Sequence, residues 1–185
     1  MSQHPTRCQR NGHWHSNVII FDFDQTLVDT EPVKALRAAK NWRAVMAQAA
    51  RLKVYDGISE LLAALHERQQ KLAIVTKSPD MVPKAFIKRH KWPIDIVVGY
   101  HQVRVRKPDP EGLQLAMRQA GERPESVFHI GDQPEDTMAS RAAGVAAIGS
   151  AWGLGDLEAR ALAASAPDHI FTRVDALQSF LLKIV

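Results

Sequence analysis

Short runs of β-branched and aromatic residues alternate along the chain with stretches in which apolar residues recur every three or four positions. The first pattern suits strands covered on both faces, as in a parallel sheet, and the second suits amphipathic helices. Strands are predicted over residues 18–21, 72–75, 94–98, 127–130 and 145–148, with a weaker run over 169–171 as a sixth, edge strand. Between them, Ile58, Leu61, Leu62 and Leu65 form one helical stripe after Asp56-Gly57. Leu113, Ala116, Met117 and Ala120 form another, which Gly121 can close. Strands alternating with helices imply an α/β sandwich built on a mainly parallel sheet of five to six strands.

Two segments stand outside the alternation. Residues 31–53 are Ala-rich, with Ala35, Ala38, Ala39, Trp42, Val45, Met46 and Ala49 on one stripe, and predict one long helix or a short pair. Thr30 is placed to cap its start, and Pro32 suits its first turn. Residues 1–16 are polar and contain His4, Cys8, His13 and His15. With one cysteine and irregular spacing, they read as a flexible leader rather than a metal site. The expected organisation is therefore a leader, 1–16, and a core domain, 17–185, carrying a small helical insert at 30–55.

Composition narrows the class. At 185 residues, 45% hydrophobic and 24% charged, the chain suits one globular domain, and no apolar run approaches the length needed to span a bilayer. Cys8 alone cannot form an intrachain disulfide and the start of the chain has no apolar secretory core, so a cytoplasmic protein without membrane association is expected. The formal charge of +4 is mild for a protein that grips a polyanion. Lys84, Lys88, Arg89, His90 and Lys91, with Arg104 and Arg106, read as a solvated basic face, and specific nucleic-acid recognition is not expected.

Chemistry gathers at the ends of the predicted strands. The first strand runs into Asp22-Phe-Asp24-Gln-Thr26, and charge is costly inside a sheet. Both acids are thus expected where the strand emerges, at the carboxyl edge where open α/β sheets hold ligands. The second strand runs into Thr76-Lys-Ser-Pro79, where Thr76, Lys77 and the N–H groups of a following helix could receive anionic oxygens. Lys107 stands just before another helix start, and residues 127–130 lead into Gly131-Asp-Gln-Pro-Glu-Asp136. Each is weak alone: Thr76 could be a cap, Lys107 a solvated charge, Asp132 or Asp136 a turn residue. Together they place several carboxylates at one edge, which would repel unless a cation or lysine sat among them. An all-oxygen ligand set without His or Cys selects Mg²⁺ over zinc or copper.

In order and spacing these motifs resemble the haloacid dehalogenase superfamily, and Ala142-Ala-Gly144 and Trp152-Gly153 are similar to its phosphoglycolate-phosphatase-like branch. The resemblance runs from about residue 18 to the C-terminus. It implies a Rossmann-like three-layer α/β/α sandwich and a phosphoaspartyl mechanism. Asp22 would be the nucleophile and Asp24 the general acid/base. Thr76 and Lys107 would hold phosphoryl oxygens. Asp22, Asp24 through its carbonyl, Asp132 and Asp136 would surround Mg²⁺. The acid at position 24 points to phosphoester chemistry, since the dehalogenases proper lack it and need no metal.

Two departures from the family pattern bear on substrate. Gln25 stands where these phosphatases most often have glycine, so a changed turn and an amide facing substrate are expected. The 30–55 insert is short for a cap and predicts a poorly covered site, serving an accessible phosphoester or a small one covered by a homodimer partner. The expected function is a Mg²⁺-dependent phosphomonoester hydrolase acting on a phosphorylated substrate, a small molecule before a macromolecule. A phosphotransferase or mutase using the same intermediate and a non-catalytic phosphate-binding or signalling module are the alternatives.

Overall fold

The computed structural model describes residues 9–10, 13–14 and 17–185. Strands β1 (Gln9–Arg10) and β2 (His13–Trp14) pair antiparallel, and the rest of the predicted leader lies outside the described residues.

The six other strands form one parallel sheet: β3 (Val18–Phe21), β4 (Lys71–Val75), β5 (Ile96–Val98), β6 (Val127–Gly131), β7 (Ala146–Ser150) and β8 (His169–Phe171). Their order is β5-β4-β3-β6-β7-β8, so the chain builds outward from β3 on one side, then returns to its other side. That reversal opens a crevice at the carboxyl ends of β3 and β6, the usual ligand position in such sheets.

Period-two alternation explains how β3 is buried on both faces. Ile19 and Phe21 pack with Leu72, Ile74, Phe128 and Ile130 under helices α3 (Ile58–Glu67), α4 (Met81–His90) and α8 (Val174–Leu181). Val18 and Ile20 face the other way, with Ala73 and Val75, against α5 (Glu111–Ala120) and α6 (Pro134–Ala143). Both predicted helical stripes are buried, and Gly121 ends α5 at φ +70°. Helix α7 (Asp156–Ala164) lies beside α6.

The 31–53 segment is not one helix. A 3₁₀ turn, Glu31–Val33, leads into α1 (Lys34–Ala38), and α2 (Trp42–Gln48) runs into a second 3₁₀ turn, Ala49–Arg51. The break is chemical. Lys40 adopts φ +55°, its N–H donates to Arg37 O, and Asn41 N–H donates to Leu36 O, a Schellman closure. The Asn41 side chain then caps α2 by accepting from Ala44 N at 3.1 Å. The start also differs from expectation: Asp29 Oδ1, not Thr30, accepts from Glu31 N, and the Thr30 hydroxyl accepts from Arg37.

Candidate active site

Strand β3 ends at Phe21, and its parallel ladder with β6 continues one bond further, with Asp22 N–H donating to Ile130 O at 2.7 Å. Phe23 turns into the core, edge-on to Phe86, so Asp22 and Asp24 flank a buried anchor while their carboxylates stay at the crevice. The chain then folds back tightly: the N–H groups of Leu27 and Val28 both donate to Phe23 O.

Asp22, Asp24, Asp132 and Asp136 are all buried. Lys107 answers part of this charge. Its ammonium donates to Asp22 Oδ1 and lies 2.7 Å from Asp136 Oδ1 as well, and its third bond goes to Val75 O at 2.9 Å, so its three donors are all used. Burial alone would disfavour this charge, but Asp136 and Asp22 outweigh it and raise the Lys107 pKa above its ordinary value. Asp136 is placed by its helix. It sits at the third position of α6, where Oδ2 accepts from Gln133 N at 2.9 Å. Gly131 makes room for it, because a Cβ there would fall 2.4 Å from the Asp136 carboxyl.

One ammonium does not balance these acids. Burial, with Asp136 and Asp24 adding to it against Lys107, pushes Asp22 up to about 7. Burial and the nearby Asp22 and Asp136 hold Asp132 well above the usual carboxylate range. Asp136 goes the other way, since Lys107 and its hydrogen bonds overcome burial. Asp22, Asp132 and Asp136 each offer an oxygen, with all three within 4.8 Å of one another. Hard oxygen donors around uncompensated negative charge fit a divalent cation, and these three residues could hold one.

The remaining predicted residues take separate positions. Thr76 is buried at the end of β4, donates to Asp24 Oδ2 at 3.3 Å and accepts from Ser78 N at 3.0 Å. Lys77 is half-exposed and pairs with Glu135 instead of turning into the buried cluster. Gln25 takes the left-handed conformation at φ +60°, so a glutamine makes the turn that glycine favours. Its amide oxygen accepts from Thr30 N and from the Tyr55 hydroxyl, both at 3.0 Å, and so belongs to the loop framework.

The sequence assigns no individual site role to several residues here. Ser78 donates to Asp24 Oδ2 at 2.8 Å, and Arg37, from α1, reaches the same oxygen at 2.7 Å. Thr26 lies 3.0 Å from Ser150 Oγ, and Trp152 Nε1 donates to Thr26 O at 3.0 Å, tying the β7 loop to the β3 loop. Tyr55 closes over Gly153, where any Cβ would strike its hydroxyl at 2.1 Å. Ser78 was legible as a hydroxyl beside Thr76. Nothing in the local pattern marks Arg37, which lies thirteen residues after Asp24 in an Ala-rich stretch.

A profile described as haloacid dehalogenase-like hydrolase matches residues 32–150. The chain belongs to this family. The matched span holds Thr76, Lys107, Asp132 and Asp136, while Asp22 and Asp24 precede it. Over 125 residues the chain is 33% identical to pyrophosphatase PpaX of Listeria monocytogenes serotype 4a, which aligns 66% of this chain with 57% of the relative. Over 121 residues it is 31% identical to phosphoglycolate phosphatase of Salmonella typhimurium, 64% of this chain with 47% of the relative. The chain thus spans about half the length of the curated relatives it matches. Among solved structures, a HAD-superfamily hydrolase from Ehrlichia chaffeensis superposes with TM-score 0.68 at 20% identity, covering 92% of this chain and 98% of that one. CbbY from Rhodobacter sphaeroides in complex with phosphate gives 0.72 at 18% identity, over 88% and 96%. Both share the family's α/β fold with this chain. Among the described residues, no helix is long and apolar enough to cross a membrane.

Proposed function

We propose that the protein is a Mg²⁺-dependent phosphomonoester hydrolase working through a phosphoaspartyl intermediate on Asp22. One observation carries this reading: two buried carboxylates leave one strand end, Asp22 bound to a buried lysine and Asp24 held by hydroxyls and a guanidinium. A structural pair of acids needs no such difference in partners. Family membership and the phosphatase names of two relatives support the same reading.

In this mechanism an Asp22 oxygen attacks phosphorus, the ester P–O bond breaks, and Asp24 gives its proton to the departing oxygen. Asp24 then takes a proton from water as the water oxygen bonds phosphorus and the Asp22–phosphorus bond breaks. Phosphate leaves, and both acids return to their first states. Lys107 holds Asp22 in place and keeps Asp136 from repelling the incoming anion. Thr76 is close enough to the crevice to turn its hydroxyl toward a phosphoryl oxygen. Mg²⁺, held by Asp22, Asp132 and Asp136, would supply the positive charge that offsets the phosphoryl oxygens.

The substrate in this reading is a phosphorylated small molecule, and the compartment is the cytoplasm. The two short helices of the 30–55 insert suit transfer to water better than transfer to a second sugar hydroxyl, which requires water to be kept out. The test is phosphate release from 4-nitrophenyl phosphate and a panel of monoesters, with and without Mg²⁺. Activity that falls about a thousandfold or more in Asp22→Asn supports the reading. No release from any ester overturns it, and a phosphorylated acceptor in place of free phosphate would move the assignment to phosphotransfer.

A further inference from the structure

The two oxygens of Asp24 have opposite surroundings. Oδ2 accepts from Ser78 Oγ at 2.8 Å and Thr76 Oγ1 at 3.3 Å, and Arg37 NH2 stands 2.7 Å away. Oδ1 is buried with no hydrogen-bond partner among the described residues. A buried carboxylate oxygen left open is costly to keep, so its position calls for a partner that arrives later.

Arg37 is unusual in where it comes from. The Ser78 and Thr76 hydroxyls belong to the sheet edge, but Arg37 sits on α1, in the insert. Its NH1 donates to Thr30 Oγ1 at 3.0 Å, so the guanidinium is braced on one side while NH2 meets Asp24 on the other. Its side chain is only a quarter exposed. The Schellman closure at Lys40 ends α1 just after Arg37, and the Asn41 cap starts α2, so one tight turn joins the helix that carries Arg37 to the next.

We infer that Arg37 is a positioning residue for proton transfer: with Ser78 it pins Asp24 Oδ2, so that Oδ1 is the oxygen that gives its proton to the leaving group. The inference rests on the hydrolase reading above and adds a role for the insert. As the Asp22–phosphorus bond forms and the ester P–O bond breaks, the proton passes from Oδ1 to the departing oxygen. Oδ1 then receives a proton from the hydrolytic water. The insert thereby acts on the acid/base through one guanidinium, independently of whether it covers the substrate.

The readout is leaving-group dependence. Protonation matters most when the departing oxygen is strongly basic, and little when it leaves as a stabilised phenolate. The experiment measures kcat/KM for wild type, Arg37→Met and Arg37→Lys over a series from 4-nitrophenyl phosphate through phenyl phosphate to benzyl and ethyl phosphate. In Arg37→Met the loss should grow along the series, to about tenfold to a hundredfold greater for ethyl than for 4-nitrophenyl phosphate. Arg37→Lys should recover part of the slope, since an ammonium keeps the charge but not the two-sided brace. In an Asp24→Asn background, Arg37→Met should add no further slope. A uniform loss across the series, or an equal loss in the Asp24→Asn background, would assign Arg37 to substrate binding or simple stability and overturn the inference. If Arg37→Met does not fold, Arg37→Lys alone decides, because a slope identical to wild type contradicts the need for a brace. A wild type that hydrolyses no ester overturns the hydrolase reading and this inference with it, whereas turnover with parallel lines overturns this inference alone.

Discussion

The Lys107 ammonium lies 2.7 Å from Asp22 Oδ1, and each side chain is less than a tenth exposed. Lys107 also holds Asp136, so removing it leaves two buried carboxylates facing one another without a counter-charge. Breaking a buried ion pair from one side typically costs about 3–5 kcal/mol. Lys107→Met should therefore lower the free energy of unfolding by about that amount at neutral pH, read from a chemical denaturation midpoint, and abolish phosphate release. An unchanged midpoint would mean that the acids find another cation in the folded protein.

The raised pKa of Asp22, about 7, gives a signed pH prediction. Between its ordinary value near 3.8 and about 7, the unfolded chain has lost this proton and the folded chain keeps it. Raising pH through that window destabilises the folded state, and the penalty is complete above pH 7. Asp22→Asn, which cannot ionise, should be the more stable protein above pH 7 in the absence of divalent cations. Its advantage should shrink as pH falls from about 7 toward 4. The comparison must be a difference between the two proteins, because His129 acts in the opposite sense. Burial, then Lys107, lowers its pKa to about 4, so its contribution is present above pH 6.5 and lost as pH falls toward 4.

The same excess of negative charge predicts a metal response. A cation that binds the folded state alone stabilises it by about 2.7 kcal/mol at roughly a hundred times its dissociation constant. Mg²⁺ should raise the melting temperature of the wild type, and much less that of Asp132→Asn, because one of the three oxygens within 4.8 Å then loses its charge. Equal shifts in both proteins would place the cation elsewhere.

How much of this was legible in the sequence depends on the range of the interactions. Strands buried on both faces announce themselves locally, so β3, β4 and β6 lie within a residue of their predicted bounds. Asp22, Thr76, Lys107 and Asp132 follow strand or helix signals, and parallel pairing brings those signals to one edge. Arg37 and Tyr55 carry no such signal, because they reach Asp24 and Gln25 only through the path of residues 30–55. Where residues 31–53 divide into a pair of helices is hidden for a related reason. Alanine spacing continues through Lys40 and Asn41, but helix propensity is a weak prior, and the closure there depends on two residues whose conformations the periodicity does not reveal.

Gly131 tests how tightly the site is packed. A methyl group at this position would sit 2.4 Å from the Asp136 carboxyl, which is held on one side by Gln133 N and on the other by Lys107. A displaced carboxylate would give up the Gln133 N–H, and the Lys107 ammonium cannot follow it without leaving Asp22 and Val75 O. Gly131→Ala should cost about 1–3 kcal/mol of stability, the usual range for overpacking, and weaken the response to Mg²⁺. A stable Gly131→Ala protein with an undiminished Mg²⁺ shift would show that Asp136 is free to move.

The turn at Lys40 offers a prediction in which stability and activity separate. A non-glycine residue at φ +55° costs about 1 kcal/mol, and the exposed Lys40 side chain gives back part of this through a 3.5 Å contact to the Tyr100 hydroxyl and a cation–π contact 5.7 Å from that ring's centroid. Lys40→Gly should therefore stabilise the protein by up to about 1 kcal/mol while keeping the Schellman closure that ends α1. Asn41→Ala removes the acceptor for Ala44 N and should destabilise by about the same amount. If the direction of α1 matters because it carries Arg37, Asn41→Ala should also steepen the leaving-group dependence of kcat/KM, and Lys40→Gly should not. Thermal melts run beside the ester series separate the two effects: both variants shifting the slope in proportion to their stability would tie the slope to global stability and remove the case for α1 as the element that aims the guanidinium.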